Sequence, residues 1–476
     1  MNHPAIEIAR FLSIDPSIVE SIDEIDVGEL SKEAIITITL VKKAPSAPNG
    51  MELSDVHLKE YRIRAFSHAY SIDKKCVFRI KLRIYRGKDK DGKTHSFAEP
   101  SPFCPKRARV SHETESQVIG SLMDHGPTFA SVAKKLHLSN TAVVDIFDRA
   151  ISFKRRRLPR VLCVDECYGD GCFDEPYCLV MLDFGRMKIT DVLKGRDKRG
   201  MSLYLGAISQ EERANVEYVS IDMWEPYRDL ASRYFPNAKI CVDSFHVMEN
   251  MARALDGVRC RIMRGYAAGS EEYYLLKQWK WLLFADPGKI SCGKKGYVHK
   301  IGGYRSDGDM LRSLLGISAE LKEAYLYYLS YRKFNAECQD EASAEAAFME
   351  FAGNPTVGWM PEFSAIELML QNWKQEIVNS FNRRFVGPDG WDESKRNERR
   401  ISNGPIEGEN PQFKKLLCVS NGLANFQRFR NRLMLCHSKE LALSPKPSSR
   451  LPTKTPSKKR GHYRKKKAGI PSGKPA

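Results

Sequence analysis

The sequence predicts an α/β protein: a sheet core interrupted by an all-helical insertion, preceded by a three-helix unit and a small strand-containing N-terminal unit. Three observations predict it. Short apolar runs alternate with helical patterns between residues 158 and 254. Three of those runs stop at an acidic residue. Strand signals then vanish over residues 255–395, where apolar residues recur at helical spacing instead.

The N-terminal unit, residues 1–110, carries strand signals at 34–40 and 77–82, then a turn rich in glycine and charge over 87–92. Pro100, Pro102 and Pro105 mark a linker. Over residues 111–157 the pattern turns helical. Val118, Ile119 and Leu122 share a face, and Gly126-Pro127 stops that helix. A second helix over 128–136 places the small Ala133 where two helices approach closely. His137-Leu138 makes the turn, and Ser139 is positioned to cap a third helix holding Val143, Val144, Ile146 and Phe147. Three short helices with a tight turn before the last read as a helix-turn-helix, with Ser139, Asn140 and Thr141 leading the helix that enters the major groove. Lys154-Arg155-Arg156-Arg157 follows at once, suited to phosphate contact. The bland alternative is a three-helix packing unit without DNA contact.

The sheet core, residues 158–254, reads as strand 161–164, strand 177–184, strand 189–193, helix 203–213, strand 216–221, helix 225–235 and strand 239–242. This β-β-β-α-β-α-β order is that of a ribonuclease-H-like sheet, whose first and fourth strands lie side by side. The insertion predicts helices over 275–284, 320–334, 341–351 and 363–381, with Trp279, Trp281 and Trp373 mostly in its core. Residues 396–436 are expected to return to the sheet core, carrying Glu407 on a helix. Residues 437–476 form a basic tail predicted to be disordered.

Whole-chain composition bounds the function. The 476 residues are 42% hydrophobic, the balance of a folded protein of two or three domains. No apolar run approaches the roughly 20 residues needed to span a bilayer, and Met1-Asn2-His3-Pro4 begins no secretory signal. The twelve cysteines are scattered without a C-x-x-C pair, which fits a reducing cytoplasm. The net charge of +17 points to a polyanion, and the tail carries most of it: eleven Lys or Arg and no acid lie in residues 444–476. Non-specific contact with DNA phosphates is one reading of that tail. A solubilising or incidental tail is the other.

The acids carry the chemistry. Val161-Leu162-Cys163-Val164 runs into Asp165-Glu166, and the run ending Val219-Ser220-Ile221 stops at Asp222. Ligand sites of α/β folds lie at the carboxyl ends of strands. Lys239 to Val242 ends at Asp243 in the same way, so Asp222 and Asp243 compete as the second acid; strand order favours Asp222. Glu407 lies far along, in Ser402-Asn403-Gly404-Pro405-Ile406-Glu407-Gly408. Two carboxylates about 5 Å apart repel by roughly 3 kcal/mol at an effective dielectric near 20. A hard divalent cation converts that repulsion into a binding site. Each acid alone is more simply a helix cap or a solvated strand end; their joint placement argues otherwise. Cys163, Cys167, Cys172 and Cys178 crowd the first acid, but their spacings match no usual zinc pattern and core packing explains them.

Taken together these blocks resemble an insertion-sequence transposase of the ISL3 (ISL-three) family. The first is Val164-Asp165-Glu166. The second is Ser220-Ile221-Asp222 with Tyr227, Phe235-Pro236-Asn237-Ala238 and Asp243-Ser244-Phe245-His246-Val247. The third is Ser402-Asn403-Gly404, Glu407-Gly408, Asn410 and Lys414, then Phe426 and Phe429-Arg430-Asn431-Arg432. The resemblance implies a DDE core of ribonuclease-H-like fold that binds Mg²⁺ or Mn²⁺ through Asp165, Asp222 and Glu407 and cuts and rejoins the ends of its own element. It implies supporting roles for Glu166, Asp243, His246, Asn403 and Asn410, and DNA contacts from Lys414, Lys415 and Arg430. The expected partner is DNA, engaged by a homo-oligomer in a nucleoid-associated cytoplasmic setting. Family members commonly begin with a zinc ribbon. Here Ala44-Pro45-Ser46-Ala47-Pro48 and Tyr85-Arg86-Gly87-Lys88 stand where its Cys pairs would fall, so a degenerate unit without zinc is expected. Cys418-Val419-Ser420-Asn421-Gly422 departs too, where relatives carry a basic and an aromatic residue. A silent DNA-binding regulator or relic, and a nuclease without strand transfer, are the competing readings.

Overall fold

The computed structural model describes the chain except residues 1–5, 8, 11, 13, 27–32, 44, 46, 48–50, 69–73, 105–107, 169–174, 353–356, 387–396, 420–424 and 439–476. It divides into two compact units, Met1–Phe153 with Lys415–Ala476, and Lys154–Lys414. The tail, Cys172 and the Ser420-Asn421-Gly422 departure lie outside the described residues.

The first unit opens with a five-stranded sheet. Its strands are β1 (Val19–Asp26), β2 (Glu33–Leu40), β3 (Ser54–His68), β4 (Lys75–Lys88) and β5 (Thr94–Ala98). They run in the order β1-β2-β4-β3, with β5 also on β4. Only β2 and β4 pair in parallel. Alternation decides the register: Ile36, Ile38 and Leu40 of β2 and Phe78, Ile80 and Leu82 of β4 are buried in one core. Phe66, Phe78 and Phe103 pack there with ring centroids 5.8–6.0 Å apart. Cys76 and Cys104 are buried in the same core as free thiols. The charged turn sits between β4 and β5, where Asp89 accepts the amides of Asp91 and Lys93 and Gly92 takes φ +77°.

Three helices follow, α1 (His112–Ser121), α2 (Phe129–Lys135) and α3 (Asn140–Ala150). Ser111, Thr128 and Ser139 cap them, each accepting a backbone amide of the first turn. Val118, Ile119, Leu122, Ala133, Val143, Ile146 and Phe147 are buried as their spacing predicts. The turn before α3 closes with the Leu138 amide donating to the Ala133 carbonyl, and His137 adopts φ +53° to allow it. A distant segment joins this unit. Helix Phe426–Ser438 brings Arg428 to Asp148 with Nε–Oδ1 2.8 Å. Asn431 donates to the Ile151 carbonyl at 3.1 Å, and the fully buried Arg432 donates to the Asp124 and Pro127 carbonyls.

The second unit is built on a sheet of β6 (Val161–Tyr168), β7 (Tyr177–Asp183), β8 (Lys188–Lys194), β9 (Tyr218–Ile221) and β10 (Lys239–Val242). Its order is β10-β9-β6-β7-β8, with β6, β7 and β8 antiparallel and β9 and β10 parallel to β6. The first and fourth strands thus lie side by side. Two details differ from the expectation. β6 runs on through Asp165 to Tyr168, because Asp165 to Tyr168 keep pairing with Val180 to Tyr177. The single helix expected over 203–213 is two, Lys198–Gly206 and Gln210–Ala214, divided where Ser209 caps the second.

Helix Ser244–Met263 leads into the insertion, whose main helices are Glu271–Gln278, Asp307–Gly316, Ala319–Glu337, Glu341–Ala352, Pro361–Asn372 and Lys374–Asn379. The insertion is not all-helical. It also holds two hairpins, β11 (Lys295–Val298) with β12 (Gly303–Ser306) and β13 (Arg383–Val386) with β14 (Asn397–Arg400). Strands of four residues rich in Gly, Lys and Arg leave no apolar alternation to read. Trp373 is buried and Trp279 packs on the core, whereas Trp281 is exposed, contrary to expectation.

Candidate active site

All the acids singled out in the sequence lie in the second unit. Asp165 sits mid-strand in β6, buried, with its Oδ1 accepting the Glu166 amide at 2.7 Å and its Oδ2 accepting Asn410 Nδ2 at 3.3 Å. Asp222 follows β9, the strand beside β6. Burial and then the charge of Asp222 push the Asp165 carboxyl up to about 7.

Asp222 and Asp243 differ sharply in employment. Asp243 is buried; its Oδ1 caps helix Ser244–Met263 by accepting the Phe245 amide at 3.0 Å, and its Oδ2 accepts the Asn403 amide at 3.0 Å. Both oxygens are committed to backbone. Asp222 is half-buried, and its Oδ1 accepts from His246 Nε2 at 2.8 Å and from Asn403 Nδ2 at 3.4 Å. The Asp222 carboxylate raises the His246 imidazole to about 9, against the desolvation that opposes it. That pairing favours the charged imidazole beside Asp222.

Asn403 ties the third sequence block to the first two. Its side-chain Nδ2 donates to the Val164 carbonyl of β6 at 2.9 Å as well as to Asp222. Its carbonyl accepts the Ile406 and Glu407 amides, starting helix Gly404–Val419. Glu407 is thereby held in the first turn. Burial lifts its carboxyl, with further upward push from Asp243 and Asp222 and relief from His246.

Beside this cluster Glu166 accepts the Tyr227 hydroxyl at 2.6 Å and Arg196 Nη1 at 2.7 Å. The Arg196 guanidinium stands 4.1 Å from the Tyr177 ring centroid and 5.3 Å from that of Trp224. A pocket of about 260 Å³ opens here, lined by Glu166, Arg196, Asp222, Trp224, Tyr227 and His246 among others. Sequence reasoning missed Arg196 and Trp224. Trp224, two residues past the second acid, carried a usable signal; Arg196 in its turn carried none.

The donor set fits a hard divalent ion in kind. The ligands are carboxylate oxygens, and two buried acceptors beside them, Oδ1 of Asn403 and of Asn410, have no partner. Among the described residues, however, no three His, Cys, Asp or Glu side chains are disposed to hold a metal as they stand. Cys163, Cys167 and Cys178 are buried, and the Cys163 thiol donates to the Ser402 carbonyl at 3.3 Å. Desolvation pushes the Cys163 and Cys167 thiols up, away from the thiolate a metal would need.

The residues expected at DNA divide. Asn140, Thr141, Lys154, Arg157, Lys414 and Lys415 are exposed or partly so, and Ser139 is an exposed cap whose hydroxyl accepts the Ala142 amide. Arg155 instead forms a two-pronged pair with Glu212 at 2.6 and 2.8 Å. Arg156 is half-buried. Arg430 is buried, and its guanidinium donates to the Phe153 carbonyl at 2.8 Å. These last contacts serve the fold, which corrects the phosphate role expected of Arg155 and Arg430.

A family model described as a transposase of the DDE type, ISL3 family, matches residues 162–433. A second, the helix-turn-helix domain of transposase family ISL3, matches residues 99–151. With more than half of its length in that catalytic match, the chain belongs to the ISL3 family of DDE insertion-sequence transposases. Two curated relatives in Mycobacterium tuberculosis (strains CDC 1551 / Oshkosh and ATCC 25618 / H37Rv), each a transposase for insertion sequence element IS1557, are 31% identical over 85 residues. That stretch is 18% of this chain and 19% of theirs, so the chain matches about a fifth of the relatives' length. Among the described residues no helix is long and apolar enough to cross a membrane.

Proposed function

We propose that this chain cleaves and rejoins the ends of its insertion sequence on a ribonuclease-H-like core, with Asp165, Asp222 and Glu407 holding divalent ions, Mg²⁺ or Mn²⁺. The observation that carries the reading is Asn403, which fastens the helix of Glu407 to the backbone of β6 and to Asp222. The strand order, with the first acid's strand beside the second's, supports the fold assignment. The interruption between Asp243 and Asn403 supports a long insertion within that core. The N-terminal sheet occupies the place of the family's zinc ribbon, without its cysteine pairs.

Bound divalent ions supply charge neutralisation at the phosphate and a more acidic attacking water or hydroxyl. The chain's own residues do the rest. Asp243 and Asn403 fix the geometry of both strand ends. His246 holds the Asp222 carboxylate in place and balances its charge. The Glu166–Tyr227–Arg196 group keeps a cationic, aromatic wall beside Asp222, and Asn140, Thr141, Lys154 and Arg157 serve DNA binding. A homo-oligomer assembled on DNA is part of the proposal.

The test is cleavage of a duplex carrying the element's ends, with Mg²⁺, by Asp165→Asn, Asp222→Asn and Glu407→Gln. Each should lose cleavage by at least about a thousand-fold while binding the same duplex in chelator; an equally active Asp222→Asn beside a folded, inactive Asp243→Asn contradicts the assignment.

A further inference from the structure

The hairpin β11–β12 in the insertion is a surface that neither the acids nor the helix-turn-helix explains. Tyr297 and Tyr304 pair directly across it, on one face, with centroids 5.3 Å apart in an edge-to-face arrangement. Both are well exposed, 50% and 65%. His299 packs at 5.0 Å against Tyr297, extending the aromatic row. Lys295 lies on the tyrosines' face by strand alternation, Lys294 precedes it and Lys300 lies in the turn, while Arg305 lies on the opposite face with its guanidinium donating to the Tyr304 carbonyl at 3.1 Å; all four are exposed. No acid occurs from Ser291 to Ser306. Among the described residues none of these four cations forms an ion pair.

The hairpin is also well anchored. Val298 and Ser306 are buried, Ile301 packs on the insertion's core, and Gly302 at φ +70° closes the loop with its amide donating to the Val298 carbonyl. A fixed ribbon that turns two large rings and four unneutralised charges to solvent sacrifices burial it has the residues to obtain. Two large rings set side by side at the surface among unpaired cations suit a polyanion with flat, stackable groups.

We propose that β11–β12 is a second DNA-contacting element of this transposase, a stacking platform for an unpaired DNA strand. Tyr297 and Tyr304 meet unstacked bases, and Lys294, Lys295 and Lys300 meet the phosphates. Duplex DNA offers its phosphates to the same charges but buries its base faces, so the rings distinguish the two forms. The proposal rests on the family assignment and is independent of which acids cut.

The experiment is equilibrium binding of the full chain, in chelator so that nothing is cleaved, to a blunt duplex and to a forked duplex of the same sequence with one end unpaired. The intact protein should prefer the fork. Tyr297→Ser with Tyr304→Ser should cost the fork about five- to a hundred-fold per ring and leave the blunt duplex nearly unchanged. Tyr297→Phe with Tyr304→Phe should retain the preference, since rings and not hydroxyls do the stacking. Exchanging Lys294, Lys295 and Lys300 for Gln should weaken both forms and flatten the salt dependence, by about 0.7 in logarithmic slope for each single-strand phosphate that is no longer neutralised. Unchanged fork preference in the Ser variant overturns the proposal, as does equal weakening on blunt and forked DNA, which marks a duplex contact. Weakening in the Phe variant as deep as in the Ser variant overturns it too. Failure of cleavage with intact fork binding bears on the acids alone.

Discussion

Asp222 and Asp243 each follow a strand of the same parallel pair, and their hydrogen bonds tell them apart most sharply. Asp243 spends both oxygens on the Phe245 and Asn403 amides. Losing a buried cap and a second buried acceptor costs about 2 kcal/mol or more. Asp243→Ala should therefore lower the thermal midpoint markedly, and further than Asp222→Ala, which loses the His246 and Asn403 contacts of a half-buried carboxylate but no helix cap; calorimetry of the two variants checks this. The pair also sets a pH dependence. His246, raised to about 9 by Asp222, contributes stability that is complete below its ordinary 6.5 and lost as pH rises through 9. Asp165, raised to about 7 by burial and Asp222, is favoured as the neutral acid, so its contribution is present below 3.8 and lost as pH rises through 7. Both act in one direction. Metal-free protein should lose stability from mildly acidic to alkaline pH. His246→Gln should flatten the upper part of that decline and Asp165→Asn the lower; a stability that climbs over this range contradicts the charge pattern.

At the level of elements, strands and helices with strong periodicity were legible from sequence, and junctions were not. The strand 239–242 and the third helix from Asn140 fall where apolar spacing and caps put them. β6 overran its expected end because cross-strand pairing with β7, invisible in one segment, outweighs the charge of Asp165 and Glu166. The hairpins of the insertion were illegible because their residues are chosen for the surface, not for a buried face. Asp165, Asp222, Glu407 and Asn403 stand out as candidates by their motifs, whereas the burial of Arg430 depends on a partner at Phe153, far away in sequence. Helix Phe426–Ser438 illustrates the same point. Its Arg428–Asp148 pair is largely buried, with 15% and 8% of the side chains exposed. Removing one partner of such a pair typically costs about 3 kcal/mol or more. Arg428→Ala should destabilise the unit that holds the helix-turn-helix and weaken end binding, and Asp148→Asn should do so in parallel; denaturant titration with either variant indistinguishable from wild type sinks this role. Asn140→Glu, by contrast, should erase preference for the element's ends without loss of stability.

For the whole molecule, the proposed reading divides charge from specificity: the basic segment adds affinity and the helix-turn-helix reads the ends. The eleven cations of residues 444–476 carry no acid among them. Removing that segment should weaken binding to all DNA about equally and reduce the salt slope, while the ratio of end to random DNA holds. Loss of end preference on truncation would make the tail the reader. The central claim, that Asp165, Asp222 and Glu407 share divalent ions while Asp243 holds them in register, is tested most directly by metal titration of the intact protein. Mn²⁺ binding, followed calorimetrically at pH 7.5, should be lost or weakened about ten-fold or more in Asp165→Asn, Asp222→Asn and Glu407→Gln. Asp243→Asn, at a temperature where it remains folded, should keep the stoichiometry with a smaller loss of affinity. Full Mn²⁺ binding by Asp222→Asn, with none by a folded Asp243→Asn, contradicts the account.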